Sequence, residues 1–305
     1  MRETGQFQPG QYHQPVATLP IINLNRIYDS DPLECNKLQD ACSRYGFFHL
    51  DLSGYPDLLL LWQRLLEFSR AYFSQGMELK LSNDHKSELY GYEAVGTSGG
   101  LYPDSVNGYE SLKFAYYPPV MTEAPLQGEH IKQNEPIVED FQYAAHRVLM
   151  QILICLSGGD ALTSLHRVSR PSRTNTSFLR YPCDAPPQAV GHNEHSDLGT
   201  LTFLLTTQWG LQIRDPADKD WKYVLPSTTH AIINVGDSLN FISEGKFLSA
   251  VHRVVPINDG NHEDRYSIAF FLRPDDDAEY HHSDGTIMNA KTWHRIRMER
   301  KHARV

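Results

Sequence analysis

Pairs of a histidine and an acidic residue separated by one position recur in this sequence, and each is a candidate for metal binding. Five such pairs occur, namely His49/Asp51, His192/Glu194, His195/Asp197, His262/Asp264 and His282/Asp284. Side chains alternate between the faces of a β-strand, so both members of a pair on a strand lie on the same face. One imidazole and one carboxylate, joined by a second histidine from elsewhere in the chain, form the facial triad that binds non-haem iron(II).

The sequence around the pairs favours His195/Asp197. The two pairs nearest the C-terminus lie in polar sequence with no apolar strand after them, and the first pair precedes the β-rich half of the chain. Of the two overlapping pairs, only His195/Asp197 leads directly into an apolar run, LGTLTFLL (198–205). We therefore predict that His195 and Asp197 bind a metal at the end of a strand, whereas His192 and Glu194 face substrate, solvent or neighbouring structure.

Two further features follow in the order that such a site needs. His252 lies inside FLSAVHRVV (247–255), which its apolar residues predict to be a buried strand. Arg265 comes next, with Ser267 two positions later and therefore on the same face of another predicted strand. A guanidinium and a hydroxyl with this spacing suit the recognition of a carboxylate. The ordered series therefore predicts a third metal ligand and a neighbouring carboxylate site.

Composition and charge exclude several functional classes. The chain has 305 residues, a net charge of -9 and 40% hydrophobic residues, so nothing attracts it generally to nucleic acid or to an anionic membrane. No apolar run is long enough for a membrane span. The four cysteines are widely spaced and form no C-x-x-C pair; they are Cys35, Cys42, Cys155 and Cys183. We therefore expect neither a disulfide framework nor a cysteine zinc site. This pattern also predicts a cytoplasmic location.

The N-terminal half is predicted to mix helices with short strands. The predicted elements are a strand at 19–25, a helix from Asp31 to Tyr45, a strand at 46–52, a helix from Tyr55 and a helix from Ile137 to Cys155. Residues 91–120 are rich in Gly, Tyr, Ser and Pro and show no sustained period. They are predicted to be loops that line the entrance for a substrate.

From residue 175 onward, short β-rich runs follow one another with turn-forming residues between them. The runs are SFLRY, TLTFLL, GLQIR, KYV, AIINV, SLNFI, FLSAVHRVV and RYSIAFFL. Many short strands at this spacing predict a sandwich or jelly roll. We expect a mainly β protein with a double-stranded β-helix (jelly roll) core at 175–275, covered by a helical or mixed region at 1–174. A C-terminal segment at 276–305, predicted to be helical at 291–302, completes one intertwined domain.

Seven longer motifs follow one another along the chain: LPIINLN, ACSRYGFFHL, LRYPCDAP, HSDLGTLTFLL, GLQIRD, INVGDSLNFISEGKFLSAVHRV and RYSIAFFLRP. In this order they resemble the isopenicillin N synthase-like branch of the iron(II)/2-oxoglutarate dioxygenases. HSDLGTLTFLL matches the family pattern H-x-D-x-G-x-L-T. The resemblance covers roughly residues 17–280, and it implies the same jelly-roll fold.

The resemblance also implies roles for individual residues. It identifies His195, Asp197 and His252 as iron ligands, and Arg265 and Ser267, assisted by Tyr181, as the residues that bind the distal carboxylate of 2-oxoglutarate. The implied cofactor is Fe(II), with 2-oxoglutarate and O2 as cosubstrates and ascorbate as a stimulant. The implied reaction is hydroxylation, desaturation or ring rearrangement of a small organic metabolite, as in specialised metabolism.

One departure from the family pattern leaves alternatives open. Many plant relatives carry an asparagine two residues before the tyrosine that corresponds to Tyr181, whereas this chain has Leu179, as in isopenicillin N synthase. That enzyme uses no 2-oxoglutarate, and its Arg-x-Ser motif binds part of its peptide substrate. The alternatives are therefore an iron oxidase that is independent of 2-oxoglutarate and, third, a non-catalytic jelly-roll binding protein. No oligomeric state is predicted.

Overall fold

The computed structural model describes residues 15–100, 102, 104–116, 125–256, 263–281 and 284–302. Within this part of the chain, the α-helices are α1 (Leu24–Tyr28), α2 (Pro32–Arg44), α3 (Pro56–Phe73), α4 (Met77–Leu81), α5 (Glu129–Ser157), α6 (Asp237–Ile242) and α7 (Ala290–His302). A 3-10 turn spans Thr163–Leu165. None of these helices is long and apolar enough to cross a bilayer.

Local sequence explains where the helices begin and end. The side chain of Asp31 accepts hydrogen bonds from the backbone N–H groups of Leu33 and Glu34, and Pro32 occupies the first turn of α2. These are the usual features of a helix N-terminus. Gly158 ends α5 with a left-handed backbone conformation, which glycine adopts without strain. The predicted helices from Asp31, from Tyr55 and from Ile137 to Cys155 are confirmed, although the last begins earlier, at Glu129.

The strands make up two facing sheets and one short hairpin. The strands are β1 (Ile21–Asn23), β2 (Phe47–Asp51), β3 (Gly91–Glu93), β4 (Glu110–Ala115), β5 (Asn175–Tyr181), β6 (His192–His195), β7 (Leu201–Leu205), β8 (Leu211–Arg214), β9 (Trp221–Tyr223), β10 (His230–Val235), β11 (His252–Val254), β12 (Arg265–Leu272), β13 (Glu279–His281) and β14 (Ile287–Asn289).

The large sheet has the order β1-β2-β10-β7-β12-β5-β4-β3, and the small sheet has the order β6-β11-β8-β9. All neighbouring strands in the two sheets are antiparallel except β1 and β2. The pair β13–β14 forms the separate hairpin. This is the predicted jelly-roll core with flanking helices.

The outer face of the large sheet packs against α3 and α5. Phe203 and Phe270 of the sheet lie edge-on to Phe141 of α5, with ring centroids 6.0 and 6.4 Å away. Phe178 packs in the same way against Phe68 of α3, at 5.2 Å. Because side chains alternate along each strand, these contacts turn the neighbouring positions inward, toward the small sheet.

Side chains along strand β12 alternate between the outer and the inner face of the large sheet. Its outward residues Ile268, Phe270 and Leu272 belong to the main apolar core, whereas Ala269 and Phe271 pack in a separate inner cluster with Tyr109, Leu179, Tyr181 and Leu204. Arg265 and Ser267 have the same parity as the inward residues. The inner face of the large sheet is therefore the wall that faces the small sheet.

Two of the strands predicted after residue 175 were wrong in type or in extent, and the strand predicted at 19–25 ends at Asn23, where α1 follows. SLNFI (238–242) lies in helix α6 rather than in a strand. Its apolar residues Leu239, Phe241 and Ile242 fit a single helical turn as well as they fit a strand. Within FLSAVHRVV only His252–Val254 is a strand, because the residues before it cross over from α6 to the small sheet.

The region 91–120 was predicted to consist of loops, yet it contains β3 and β4. These strands extend the large sheet beyond β5. Leu112 and Phe114 alternate with inward residues and belong to the core. The apolar alternation of β4 is too short to stand out between polar loops. Residues 101, 103 and 117–120 of this region lie outside the described residues.

One disulfide occurs that the spacing of the cysteines did not predict. Cys35 of α2 and Cys155 of α5 form a disulfide, with their Cα atoms 5.2 Å apart. Spacing along the sequence did not indicate this pair, because the two helices are brought together only by the fold. Cys42 is a buried free thiol and Cys183 an exposed one.

The predicted subdivision into 1–174, 175–275 and 276–305 stays a prediction. Strands β1–β4 come from the N-terminal region and complete the large sheet on both sides of its jelly-roll strands. In the C-terminal segment, α7 buries Trp293 and His294, so it is packed rather than fully solvated.

Candidate metal centre and active site

Three predicted ligands converge at one end of the space between the sheets. His195 is the last residue of β6 and His252 the first of β11, and the two are paired across the small sheet. Asp197 lies in the connection between β6 and β7. Its Oδ1 atom is 3.7 Å from Nε2 of each histidine, and the ligand atoms of all three residues lie within 4.8 Å of one another.

Asp197 lies at the end of the metal strand, in the turn that follows it. The strand ends at His195, and the chain turns before β7 begins. The turn is held by α6, because the backbone N–H of Asp237 donates to the carbonyl of Asp197 at 2.7 Å. Gly236 is required there, since an added Cβ would lie 2.2 Å from the carbonyl oxygen of Gly199.

Each histidine is oriented by a backbone carbonyl. Nδ1 of His195 donates to the carbonyl of Asn193 at 2.8 Å, and Nδ1 of His252 to that of Ala250 at 3.3 Å. A carbonyl only accepts, so both bonds favour the tautomer with the proton on Nδ1. This tautomer leaves Nε2 of each ring as the atom that can coordinate a metal.

The carboxylate of Asp197 is oriented by two side chains. Its Oδ2 atom accepts hydrogen bonds from Oγ1 of Thr202 at 2.5 Å and from Nδ2 of Asn234 at 2.8 Å. Burial opposes ionisation, but His252, His195 and the two hydrogen bonds hold the pKa of Asp197 well below its usual range. The carboxylate is therefore charged, with Oδ1 on the side of the histidines.

These three residues fit the predicted metal. Two imidazole nitrogens and one carboxylate oxygen on one side of a site are the donor set of an iron(II) facial triad. Among the described residues, the other group of potential ligands is Cys183, Asp184 and Asp264, which lies at the surface. There Asp264 already pairs with Arg180 at 2.7 Å.

Arg265 is a buried cation at the start of β12. Its side chain is 9% exposed, and Nε donates to the carbonyl of Trp209 at 2.8 Å. Nη1 is 3.4 Å from Oγ of Ser267, and Cζ lies 4.9 Å from the ring centroid of Tyr181. Gly210 makes room for this side chain, because an added Cβ would lie 3.1 Å from Nε. The three predicted residues of the carboxylate site are therefore neighbours.

The guanidinium of Arg265 has no carboxylate partner among the residues that the structure describes. Burial lowers its pKa, and the Tyr181 phenol opposes this effect. Burial likewise raises the pKa of Tyr181 to about 12, against the influence of Arg265. A buried charge without a counter-charge is costly, so this site suits an anionic ligand.

Aromatic rings link the metal centre to the opposite wall. The ring of His192 stacks on that of His195, with centroids 4.2 Å apart, and lies 4.6 Å from Tyr109. Tyr109 in turn packs with Leu179 and Ala269 of the large sheet. Of the two flanking positions, His192 therefore faces the interior.

Sequence reasoning missed Thr202, Asn234 and Tyr109. Thr202 and Asn234 are polar residues inside the apolar runs TLTFLL and AIINV, and a buried polar residue needs a partner. That signal was available in the sequence. Tyr109 immediately precedes β4, in the region that was predicted to consist of loops.

Two family models match the chain. The 2OG-Fe(II) oxygenase superfamily model matches residues 173–274. The model described as the non-haem dioxygenase in morphine synthesis N-terminal region matches residues 19–136. Together the two matches include the jelly-roll strands and most of the elements that precede them.

Named relatives and solved structures agree with these matches. The 2-oxoglutarate-dependent dioxygenase frbH of Dothideomycetidae sp. is 40% identical over 285 residues, which cover 91% of this chain and 88% of the relative. The 2-oxoglutarate-dependent dioxygenase gloE of Glarea lozoyensis is 38% identical, with 90% and 85% covered. The fold is similar to that of the dioxygenase for auxin oxidation in rice, at a TM-score of 0.68, 22% identity and coverage of 93% and 96%.

The jelly roll and its two-histidine, one-carboxylate cluster define an iron-dependent oxygenase. The chain belongs to the 2OG-Fe(II) oxygenase superfamily, and it is a 2-oxoglutarate-dependent dioxygenase. It is an enzyme that uses Fe(II), 2-oxoglutarate and O2 to oxidise a C–H bond of a small organic molecule. The names of the relatives favour this function over the two alternatives that Leu179 left open.

Proposed function

We propose that His195, Asp197 and His252 hold the iron(II) of this dioxygenase. The observation that carries the proposal is the convergence of their ligand atoms within 4.8 Å, with each side chain oriented by a hydrogen bond on its far side. Such outer contacts fix the geometry of ligands before the metal arrives. These three residues would hold the iron through protein ligands, and the iron would bind 2-oxoglutarate and O2 as the further ligands.

Arg265, Ser267 and Tyr181 bind the distal carboxylate of 2-oxoglutarate in this proposal. The guanidinium offers a planar pair of donors, and the hydroxyl of Ser267 adds a third. The ring of Tyr181 supports the cation from one side, at 4.9 Å. Leu179, which replaces the asparagine of many plant relatives, packs in the inner apolar cluster and leaves this carboxylate site to Arg265 and its two neighbours.

Bound iron supplies the activation of O2, with oxidative decarboxylation of 2-oxoglutarate to succinate coupled to oxidation of the substrate. The protein positions the reactants and keeps water away. His192 and Tyr109 pack ring to ring beside the metal centre, and Tyr109 packs in turn with Leu179 of the large sheet. A dry interior protects the coupled reaction from side reactions with water.

The substrate is proposed to be a small organic metabolite of specialised metabolism, hydroxylated, desaturated or rearranged in its ring. The net charge of -9 supports a role apart from nucleic acid and membranes. A cytoplasmic location is likewise a proposal, although the Cys35–Cys155 disulfide weighs against a reducing compartment. Cell fractionation with immunodetection of the protein would test it. Stimulation by ascorbate stays a prediction.

The test is succinate formation from 2-oxoglutarate by the purified protein with Fe(II) and air. We expect the wild-type protein to form succinate and His195→Ala to form none. Arg265→Ala should form succinate at the wild-type rate only when the 2-oxoglutarate concentration is raised. Glu194→Ala, on the adjacent exposed position of the same strand, is the matched control and should retain turnover. Full turnover by His195→Ala, or an unchanged KM for 2-oxoglutarate in Arg265→Ala, would contradict the assignment.

A further inference from the structure

A second guanidinium lies at the opposite end of β12 from Arg265. Arg273 follows Phe271 at the position of the same parity, just beyond the end of the strand. Its Cζ atom lies 5.4 Å from the centroid of the Phe271 ring, which places the guanidinium beside an inward-facing residue. At about 3.3 Å per residue, the two arginines are about 26 Å apart along the strand.

Arg273 borders the metal centre. A Cβ added to Gly199, two residues after Asp197, would lie 3.4 Å from Cγ of Arg273, so the arginine stem passes over the turn that carries the ligand. The charge of Asp197 acts on the guanidinium. Phe271 is also paired in register with Thr202, whose hydroxyl donates to the Asp197 carboxylate. These contacts place Arg273 beside the turn that carries Asp197.

The guanidinium of Arg273 has no carboxylate partner in the described ranges of the chain. Nη1 donates to Oδ1 of Asn175 at 2.7 Å and to the carbonyl of Arg173, and Nε is buried without a hydrogen-bond partner. The nearby Glu88 already pairs with Arg173 and with His294. Burial lowers the pKa of Arg273 to about 10, so it remains a cation at neutral pH.

We propose that Arg273 binds a carboxylate of the substrate, so that this dioxygenase acts on small organic acids. The inference rests on the proposed metal site and deepens it. The two ends of β12 then bind different molecules. Arg265 pairs with the distal carboxylate of 2-oxoglutarate, and Arg273 pairs with the carboxylate of the molecule to be oxidised. A guanidinium matches the planar geometry of a carboxylate, and the adjacent Phe271 offers an apolar surface for the carbon skeleton.

The test compares acids with their uncharged amides. Three pairs serve as probes: octanoate and octanamide, trans-cinnamate and trans-cinnamamide, and N-acetylphenylalanine and its amide. Each is titrated by calorimetry into the full-length protein without oxygen, with Fe(II) and saturating 2-oxoglutarate so that Arg265 is occupied. The variants are Arg273→Gln, Arg273→Lys and, as a control of equal charge, Arg214→Gln, whose side chain is exposed on β8.

We expect at least one acid to bind the wild-type protein tenfold or more tightly than its amide, which is about the effect of one charge-assisted contact. Arg273→Gln should remove that preference, Arg273→Lys should retain part of it, and Arg214→Gln should retain all of it. Equal or absent binding of every acid and amide, or an acid preference that survives in Arg273→Gln, would overturn the inference.

Binding of Fe(II) and 2-oxoglutarate is measured in each variant first. A wild-type protein that binds both but shows no acid preference contradicts only the role of Arg273. A wild-type protein that binds neither contradicts the proposed metal site, and the role of Arg273 with it. Arg273→Lys guards against loss of folding in Arg273→Gln, because it keeps the positive charge in place.

Discussion

The metal centre and the Arg265 site differ in how far the protein completes them. At the metal centre, each ligand has an orienting hydrogen bond from the protein, and Asp197 has two. At the other site, Arg265 is also buried, but its partners among the described residues are a carbonyl, a hydroxyl and a ring rather than a carboxylate. The proposed iron ligands are therefore organised in advance, whereas the guanidinium needs its ligand to balance its charge.

The largest expected effect is at the metal centre. Replacing His252 with alanine removes one of three ligands, so Fe(II) binding and succinate formation should fall to background. Folding should persist, because His252 stands at the end of a three-residue strand rather than in the main apolar core. Circular dichroism checks that the variant is folded. A folded variant that still binds Fe(II) and forms succinate would contradict the role of His252 as a ligand.

A smaller effect is expected at the carboxylate site. Arg265→Ala should raise the KM for 2-oxoglutarate by about 10- to 150-fold, since a charge-assisted hydrogen bond contributes roughly 1.5–3 kcal/mol. Iron affinity should stay unchanged, because Arg265 contacts none of the three metal ligands. Titration of 2-oxoglutarate at saturating Fe(II) measures the first quantity, and titration of Fe(II) alone the second. Loss of iron binding in this variant would show that the two regions are not separate.

The side chains that donate hydrogen bonds to Asp197 provide a further test of the metal centre. Asn234→Ala removes one of two donors to Oδ2 of Asp197, and such outer contacts are worth about 10- to 100-fold in metal affinity. The change should appear as weaker Fe(II) binding, with little change in the KM for 2-oxoglutarate once iron is saturating. Thr202→Val probes the second donor and should act in the same direction. If neither variant weakens iron binding, orientation by these side chains is not what prepares the site.

The smallest effect is expected for Tyr181→Phe. The ring beside Arg265 is retained, so only the influence of the phenolic hydroxyl is lost. We expect the KM for 2-oxoglutarate to rise by about twofold to tenfold, which corresponds to one neutral hydrogen bond. Steady-state assays of succinate formation measure it. A rise as large as that of Arg265→Ala would mean that the hydroxyl, and not the guanidinium, dominates recognition.

Most of the fold could be predicted because its strands carry a clear periodicity. RYSIAFFL coincides with β12, and its alternation separates core residues from the inward Arg265 and Ser267. The errors fall where a short run fits two structures. SLNFI is equally compatible with one helical turn, and only its position after Gly236, where α6 supports the Asp197 turn, decides the outcome.

The order of residues along the chain predicted the ligands of the site, but it did not predict the contacts that support them. His195, Asp197, His252 and Arg265 follow one another in strand contexts that the sequence displays. Thr202 and Asn234 become meaningful only when β7 and β10 pair and bring both side chains to one carboxylate. Arg273 has no distinguishing motif, and its importance depends on the lack of a counter-charge among the described residues of the folded protein, which no local pattern encodes.

The most direct test of the metal site is equilibrium dialysis of the protein against Fe(II) without oxygen. We predict one tightly bound iron per chain in the wild-type protein and in Arg265→Ala, and none in His252→Ala or Asp197→Ala. An iron that remains bound in His252→Ala and Asp197→Ala, or that is lost in Arg265→Ala alone, would contradict the assignment of iron to His195, Asp197 and His252.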